Sequence, residues 1–352
     1  MAATLALEIV RRQLFAGGVI PAHPLALTSR RRFDERRQRA LTRYYLDAGA
    51  AGVAVGVHTT QFGIRDPKVG LYRPVLELGS ETVASWPTRQ RIIKVAGAIG
   101  PTRQAVREAG IAADCGYDVA LLSLGGLGPW TDQQLLRHVR EVATVLPIMG
   151  FYLQPAVGGR RLGYRFWRRL AEIDRVVAIK VAPFNRYDTL DVIRGVVDAG
   201  QHRRVALYTG NDDSIVTDLL ARYRLRDPRG RLVTARFVGG LLGHWAYWTK
   251  SAVSLVERVR RGPRSRSSLD LGGPTTDANA AIFDAANQFR GCLPGIHEVL
   301  RRQGLLAGRW CLDVNERLSP GQGAEIDRIH ASYPGLRDDR FVRQRLSRWL
   351  TP

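Results

Sequence analysis

The residue of this chain that is best suited to covalent chemistry is a lysine at the end of an apolar run. Lys180 follows Val-Val-Ala-Ile at 176–179, a run that predicts a strand buried on both faces. Burial disfavours an ammonium ion and lowers its pKa, and a neutral amine can attack a carbonyl carbon. The chain has 53 basic residues, of which four are lysines, and arginine cannot do this chemistry because it stays protonated. The alternative role for Lys180 is a structural ion pair at the rim of the fold.

Tyr152 and a histidine–threonine turn are the other candidates. Tyr152 ends the apolar run 147–152, and a phenol beside Lys180 could carry protons during Schiff-base chemistry. Thr59 and Thr60 offer hydroxyl and backbone N–H groups suited to a carboxylate. His58 could bind substrate or act as a general base. Each has a simpler alternative, because buried tyrosines and lone histidines are more often structural.

Eight short apolar runs alternate with helical patterns and would position these residues. This alternation predicts a parallel sheet, and eight repeats predict closure into an α/β (β/α)8 TIM barrel, whose site lies at the carboxyl ends of the strands. An open doubly wound sheet is the competing fold, but the glycine fingerprint GxGxxG is absent after the first run. The eight runs are Gly18–His23, Gly52–Gly56, Ile92–Gly97, Val119–Leu122, Pro147–Tyr152, Val176–Val181, Val205–Thr209 and Ala235–Gly239.

The helical patterns divide the chain into a barrel and an extension. Residues 1–18 are interpreted as a first helix and not as a signal peptide, because no leading positive region precedes the apolar start. The barrel is predicted over 1–261 with a closing helix at 241–261, followed by a Gly-, Ser- and Pro-rich loop at 262–277. Residues 278–352 are expected to form a helical extension packed on the barrel. The other predicted helices are Asp34–Ala48, Arg103–Cys115, Asp132–Val145, Tyr164–Ile173, Tyr187–Ala199 and Asp212–Tyr223.

Composition limits the possible partners and location. The formal net charge is +21, but the arginines are spread along the chain, with a denser cluster at Arg258–Arg266, so a solvated surface is favoured over nucleic-acid binding. Three separated cysteines without a CxxC pair argue against disulfides and a zinc site and fit a reducing cytoplasm. No apolar run reaches about 18 residues, so no membrane span is predicted. No cofactor or metal is expected.

Taken together, these segments resemble the dihydrodipicolinate synthase and N-acetylneuraminate lyase family. The resemblance implies a class I lyase, aldolase or dehydratase that acts on a 2-oxo acid such as pyruvate. It implies Lys180 as the Schiff-base residue, Tyr152 as the proton carrier, and Thr59 with His58 and Thr60 as the carboxylate site. It adds Gly210, Asn211, Val238 and Gly239 as substrate contacts, and a dimer or tetramer. The segments that carry it are 18–22, 34–49, 50–56, 56–61, 146–155, 177–180 and 210–212.

Three departures from the family pattern bear on function. His58 stands where the carboxylate motif of the family has Ser or Thr, and Thr60-Gln61 stands where it has Gly-Glu. Leu124–Trp130 stands where dihydrodipicolinate synthases have a tyrosine pair. Val157 stands where the synthases have an arginine that binds the carboxylate of the second substrate. Arg160 or Arg161 would have to take over this contact. Dihydrodipicolinate synthase activity itself is therefore not expected. Two alternatives to a lyase stay open, a non-catalytic barrel that binds a metabolite or partner and a basic surface that binds a polyanion.

Overall fold

The computed structural model describes residues 2–88, 90–261 and 266–351. Within these residues the chain forms a (β/α)8 TIM barrel with a helical C-terminal extension, which confirms the predicted fold class. The barrel strands are β1 (Gly18–Pro21), β2 (Gly52–Val55), β3 (Ile93–Ala98), β4 (Val119–Ser123), β5 (Ile148–Leu153), β6 (Val176–Ala182), β7 (Ala206–Thr209) and β10 (Phe237–Leu242). Their order in the sheet is β1-β10-β7-β6-β5-β4-β3-β2. Each strand overlaps one predicted apolar run.

Most predicted helices are present with ends shifted by one or two residues. Thr131 caps its helix with a full capping box, and Gly49 ends another in the left-handed conformation at φ 95°. The helices are α1 (Ala2–Ala16), α2 (Glu35–Ala48), α3 (Tyr72–Ser85), α4 (Thr102–Asp114), α5 (Asp132–Ala143), α6 (Tyr164–Ala171), α7 (Arg186–Asp198), α8 (Ile215–Leu220), α9 (Thr249–Arg260), α10 (Arg266–Leu269), α11 (Gly272–Ile282), α12 (Cys292–Arg302), α13 (Gln322–Ser332), α14 (Asp339–Arg343) and α15 (Leu346–Trp349).

Four segments differ from the sequence-based prediction. The closing helix predicted at 241–261 begins at Thr249, because β10 extends to Leu242 and a short turn follows it. The helix predicted at 212–223 is shorter, and the chain continues into an antiparallel hairpin of β8 (Tyr223–Arg226) and β9 (Leu232–Ala235). Alternating arginine and apolar residues in 222–226 have a period of two, which favours a strand. The loop predicted at 262–277 is helical in α10 and the start of α11, while residues 262–265 lie outside the described residues. Helix α3 was not predicted.

The chain consists of two compact units. The first comprises residues 1–18 and 93–241 and includes α1, β3 to β7 and the hairpin. Strands β3 to β7 are buried along almost their whole length, as expected for a parallel sheet. Helix α1 is fixed to this unit by the Tyr208 hydroxyl, which donates to the Leu14 carbonyl at 2.8 Å, and by Arg11, which donates to the Asp174 carbonyl at 2.5 Å.

The second unit comprises residues 19–92 and 242–352 and includes α2, α3 and the C-terminal helices. Here the extension packs on α2 through buried polar contacts. The Tyr44 hydroxyl donates to Asp338 at 2.7 Å, and the Trp349 indole N–H donates to Asp47 at 2.7 Å. Arg43 donates to the Trp349 carbonyl at 2.8 Å. The last helices are therefore anchored to α2 by specific contacts.

None of the helices in the described ranges is long and apolar enough to span a membrane.

Candidate active site around Lys180

Strand register places Lys180 in a row of side chains on one face of the sheet. Lys180 pairs with Phe151 of β5 on one side and with Tyr208 of β7 on the other. Phe151 in turn pairs with Ser123 of β4. Registered neighbours on parallel strands face the same side, so these four side chains form a continuous row, which we call the lysine row. The Lys180 Nζ lies 4.3 Å from the centre of the Phe151 ring, a cation–π distance.

Gly210, just beyond β7, leaves the space that the lysine side chain fills. A Cβ atom at this position would lie 2.8 Å from Lys180 Cε and 2.8 Å from the Cβ of Ala182. Both distances are shorter than van der Waals contact, so a larger residue would displace the lysine. The Gly210 N–H donates to the Val181 carbonyl at 2.7 Å, which fixes the backbone there. Gly210, predicted as a substrate contact, is therefore required for the packing of Lys180.

The surroundings of Lys180 make its amine more reactive than that of an exposed lysine. Burial lowers the pKa of Lys180 from 10.5 to about 8, and the negative charge of Asp212 partly opposes this shift. Asp212 is itself 9% exposed. With a pKa of about 8, roughly a quarter of the amines are neutral at pH 7.5, against about one in a thousand at the ordinary value. A neutral amine on a partly buried lysine of an apolar strand is the species needed for attack on a carbonyl.

Asn211 holds the turn after β7 in place. Its Oδ1 accepts from the Phe184 N–H at 3.0 Å, and its Nδ2 donates to Asp218 at 2.9 Å. Asp218 also accepts from the Thr209 hydroxyl at 2.5 Å and from Arg186. Asn211 is fully buried, and its amide groups have protein partners. Its amide therefore joins the loops after β6 and β7, and its role as a substrate contact stays a prediction.

Tyr152 does not lie beside Lys180. It pairs with Val181, and its neighbour Phe151 occupies the lysine row, so Tyr152 faces the opposite side of the sheet. There its ring packs against Trp167 of α6 at a centroid distance of 5.0 Å, and its hydroxyl accepts from the Leu162 N–H at 3.4 Å. Burial raises the pKa of Tyr152 to about 12. The predicted position beside the lysine is wrong, because side chains alternate along β5 and this places Phe151 there.

The threonine turn of the second unit is fixed by His23. The Thr59 and Thr60 hydroxyls donate to the His23 carbonyl at 3.2 and 2.7 Å. The His23 ring is fully buried, and burial lowers its pKa to about 4, so it is neutral near pH 7. Both threonine hydroxyl protons are used within the turn, and the Thr60 N–H donates to the Val57 carbonyl at 3.0 Å. His58 lies at the start of the turn, its ring edge-on to Phe62 at 5.9 Å.

Gly239 and Val238 have structural surroundings. A Cβ at Gly239 would lie 2.2 Å from the Gly18 carbonyl oxygen, so glycine is required where β1 approaches β10. Val238, near the beginning of β10, lines a cavity of about 130 Å³ together with His202 and Arg236. Both residues therefore lie in the first half of β10. The prediction of substrate contacts at the carboxyl end of this strand does not fit these positions.

The two arginines considered as replacements for the family's carboxylate-binding arginine also have protein partners. Arg160 donates to the Leu127 carbonyl at 3.2 Å and to the Trp130 carbonyl at 3.0 Å, which fixes the loop after β4. Arg161 lies 3.8 Å from Asp188, and its side chain is 77% exposed. Neither guanidinium belongs to the lysine row.

Sequence reasoning missed Phe151, Ser123 and Asp212 as neighbours of the lysine. The apolar run 147–152 was recognised, but which of its side chains face Lys180 was not determined. Because side chains alternate along a strand, counting back from the strand end would have found Phe151. Asp212 lies in the turn after β7, within the segment 210–212, but was not assigned a role. Among the described residues no group of three or more His, Cys, Asp or Glu side chains could hold a metal ion.

Comparison with solved structures places this architecture among known barrels. Dihydrodipicolinate synthase from Oceanobacillus iheyensis superposes with a TM-score of 0.72 at 18% identity, covering 94% of this chain and 99% of that one. The chloride-inhibited dihydrodipicolinate synthase from Acinetobacter baumannii, complexed with pyruvate, gives 0.73 at 18% identity and covers 91% and 99%. CdNal from Clostridium difficile, in complex with mannosamine, gives 0.72 at 15% identity and covers 90% and 99%.

At these identities the likeness shows a shared fold. No family model matches the sequence, and no curated protein matches it.

Proposed function

We propose that this chain is a divergent member of the dihydrodipicolinate synthase and N-acetylneuraminate lyase family, and that it acts as a class I lyase on a 2-oxo acid. The observation that carries the proposal is the amine of Lys180, half-buried in an apolar row with a pKa lowered to about 8. The fold is shared with dihydrodipicolinate synthases, one of them complexed with pyruvate. The chain's own residues and the shared fold thus support the same chemistry.

The chemistry begins with the neutral amine of Lys180. Its nitrogen attacks the C2 carbonyl of the 2-oxo acid, and the carbinolamine loses water to form an imine, which is protonated on nitrogen. When the substrate carries a hydroxyl on C4, Asp212 accepts the proton of this hydroxyl, the bond between C3 and C4 breaks, and its electron pair stays on C3 as an enamine while C4 leaves as an aldehyde. Protonation of C3 and addition of water then return the free lysine and a shorter 2-oxo acid. The imine accepts the electron pair, so no redox partner is needed.

Proton transfer is assigned to Asp212 in this proposal, and not to Tyr152. Asp212 is the carboxylate whose charge acts on Lys180, whereas Tyr152 packs against Trp167 on the other face of the sheet. A carboxylate near an amine can accept the proton lost during carbinolamine formation and return it when water leaves. Binding of the substrate carboxylate by Thr59, with His58 and Thr60, stays a prediction.

Borohydride trapping tests the proposal. The chain is incubated with pyruvate or with larger 2-oxo acids, reduced, and analysed by intact mass and peptide mapping. We expect one stable adduct on Lys180, absent in Lys180→Ala and retained in Lys68→Ala, a control at an exposed lysine. An adduct spread over several lysines, or no adduct with any 2-oxo acid, would contradict it.

A non-catalytic barrel that binds a metabolite is the second candidate. The observation that favours it is Phe151, which places a ring without a hydroxyl beside Lys180. In that case a 2-oxo acid would bind reversibly without forming a trappable adduct, which calorimetry without borohydride would detect. Light scattering would test the predicted dimer or tetramer, and cell fractionation would test the predicted cytoplasmic location.

A further inference from the structure

A cavity of about 450 Å³ lies among the C-terminal helices of the second unit. Its lining comes from α12 to α15 and from Trp248, directly before α9. Small-molecule sites have volumes of roughly 300 to 1,000 Å³ and combine an apolar wall with a few polar groups. The apolar wall here consists of Val299, Ile326 and Leu346, the first two of which are almost fully buried.

The charged side chains of this cavity balance one another with one exception. Arg302 pairs with Glu298 at 2.9 Å and with Asp327 at 2.6 Å. Asp339 pairs with Arg337 at 3.8 Å and is also hydrogen-bonded to the His330 ring at 3.1 Å. The guanidinium of Arg343 has no hydrogen bond or ion pair with any residue in the described ranges, and the residue is exposed at the cavity. One positive charge is therefore available for a ligand.

Two buried polar atoms of the lining residues lack a partner within the described part of the chain. The indole N–H of Trp248 finds no acceptor, although the residue is 1% exposed, and Gln303 Oε1 finds no donor. A buried polar group without a partner costs about 1 to 3 kcal/mol. Trp248 also has a φ of 51°, in the left-handed region that non-glycine residues rarely adopt. Strain and unsatisfied groups of this kind cluster at ligand sites.

We propose that this cavity binds a small carboxylate with an apolar body. Arg343 pairs with the carboxylate, for which the planar guanidinium is well matched. The body packs on Val299, Ile326 and Leu346. A single uncompensated guanidinium fits one negative charge, which favours a carboxylate over a phosphate monoester carrying nearly two charges at pH 7. The inference stands independently of the lyase proposal, because Lys180 contributes nothing to this cavity.

Three probes on one skeleton test the charge requirement. The full chain is titrated with 3-phenylpropionate, 3-phenylpropanol and 3-phenylpropylamine by ligand-observed NMR and calorimetry. A ligand of this size is expected to bind with a Kd on the order of 1 mM. The alcohol and the amine should bind at least about tenfold more weakly than the carboxylate, because they cannot pair with a guanidinium. Equal binding of the three probes, or no binding of the carboxylate, would overturn the proposal.

Variants locate the site. Arg343→Gln should weaken 3-phenylpropionate about tenfold, whereas Arg340→Gln, on the same helix but outside the cavity, should leave the Kd within about twofold. Leu346→Trp fills the cavity and should abolish binding. Lys180→Ala should bind like the wild type, which separates this site from the lysine row. Binding that survives Arg343→Gln and Leu346→Trp in folded protein would refute the assignment.

Discussion

Imine formation by Lys180 should depend on pH with a midpoint near 8. Burial lowers the pKa of this lysine from 10.5 to about 8. At pH 7 about one amine in ten is then neutral, against about one in 3,000 for an unperturbed lysine, an advantage of about 300-fold in reactive species. Below the midpoint, the initial rate of adduct formation should rise about tenfold per pH unit, and above it the rate should level off.

Asp212 makes the direction of this effect testable. Its negative charge stabilises the ammonium form and so raises the pKa of Lys180 against the larger effect of burial. Asp212→Asn should therefore move the midpoint below 8 and increase the neutral fraction at pH 7. Because the same variant removes the proposed proton carrier, turnover should fall while the midpoint falls. Asp213→Asn is the matched control, since the neighbouring Asp213 is exposed and does not affect the pKa of Lys180.

The same pKa shift predicts a change in stability with pH. The folded chain releases the Lys180 proton near pH 8, whereas the unfolded chain keeps it until about 10.5, so the unfolded state binds more protons between these values. The unfolding free energy contributed by this group therefore rises with pH in that window. Below pH 8 the buried ammonium costs about 3 kcal/mol. Lys180→Met should be more stable than the wild type below pH 8, and this advantage should disappear by about pH 10.5.

The assay is cyanoborohydride reduction at fixed times between about pH 6 and 10, followed by intact mass, with denaturant unfolding of both variants in the same buffers. A midpoint near 10.5 would refute the account of the lysine environment. So would a midpoint that rises in Asp212→Asn, or a stability difference between Lys180→Met and the wild type that does not change with pH.

Further variants test single contacts. Tyr152→Phe should leave the rate of adduct formation within about twofold and cost under about 1.5 kcal/mol, because the lost hydrogen bond is long and the ring packing stays; a large loss of adduct would restore Tyr152 to the site. Gly210→Ala should reduce adduct formation at least about tenfold while the chain still melts cooperatively, because its Cβ would displace Lys180. Adduct formation at the wild-type rate would contradict the proposed contact between Gly210 and Lys180. Asp218→Asn should lower the free energy of unfolding by about 3 kcal/mol in a denaturant titration, because a buried partner of three groups loses its charge. Trp349→Ala should cost about 3 to 5 kcal/mol by the same titration, and a smaller loss would show that the extension is dispensable for packing.

The fold could be predicted from sequence because the signal repeats. Eight apolar runs of strand length, separated by amphipathic segments, leave few alternatives to a parallel sheet. Where the prediction failed, the local signal was ambiguous. The arginine-rich segment 222–226 has a period of two but follows a helical pattern, and the glycine at 272 and 273 suggested a loop where α11 begins.

The candidate site was only partly predictable. Lys180 was found because a lysine at the end of an apolar strand is costly unless it has a role. Tyr152 was misplaced because motif likeness does not fix which face a side chain takes, and in strands a shift of one residue changes the face. The structural roles of Asn211 and Gly210 depend on contacts with residues 27 and 30 positions away, which no local pattern reveals.

The most direct test of the account is hydrogen exchange at C3 of pyruvate in D2O, followed by proton NMR. An imine on Lys180 acidifies the C3 protons, so the wild type should exchange the methyl protons of pyruvate for deuterium. Exchange should disappear in Lys180→Ala and persist in Tyr152→Phe, because Tyr152 faces away from the lysine. Exchange that survives in Lys180→Ala, or that depends on the Tyr152 hydroxyl, would contradict the account.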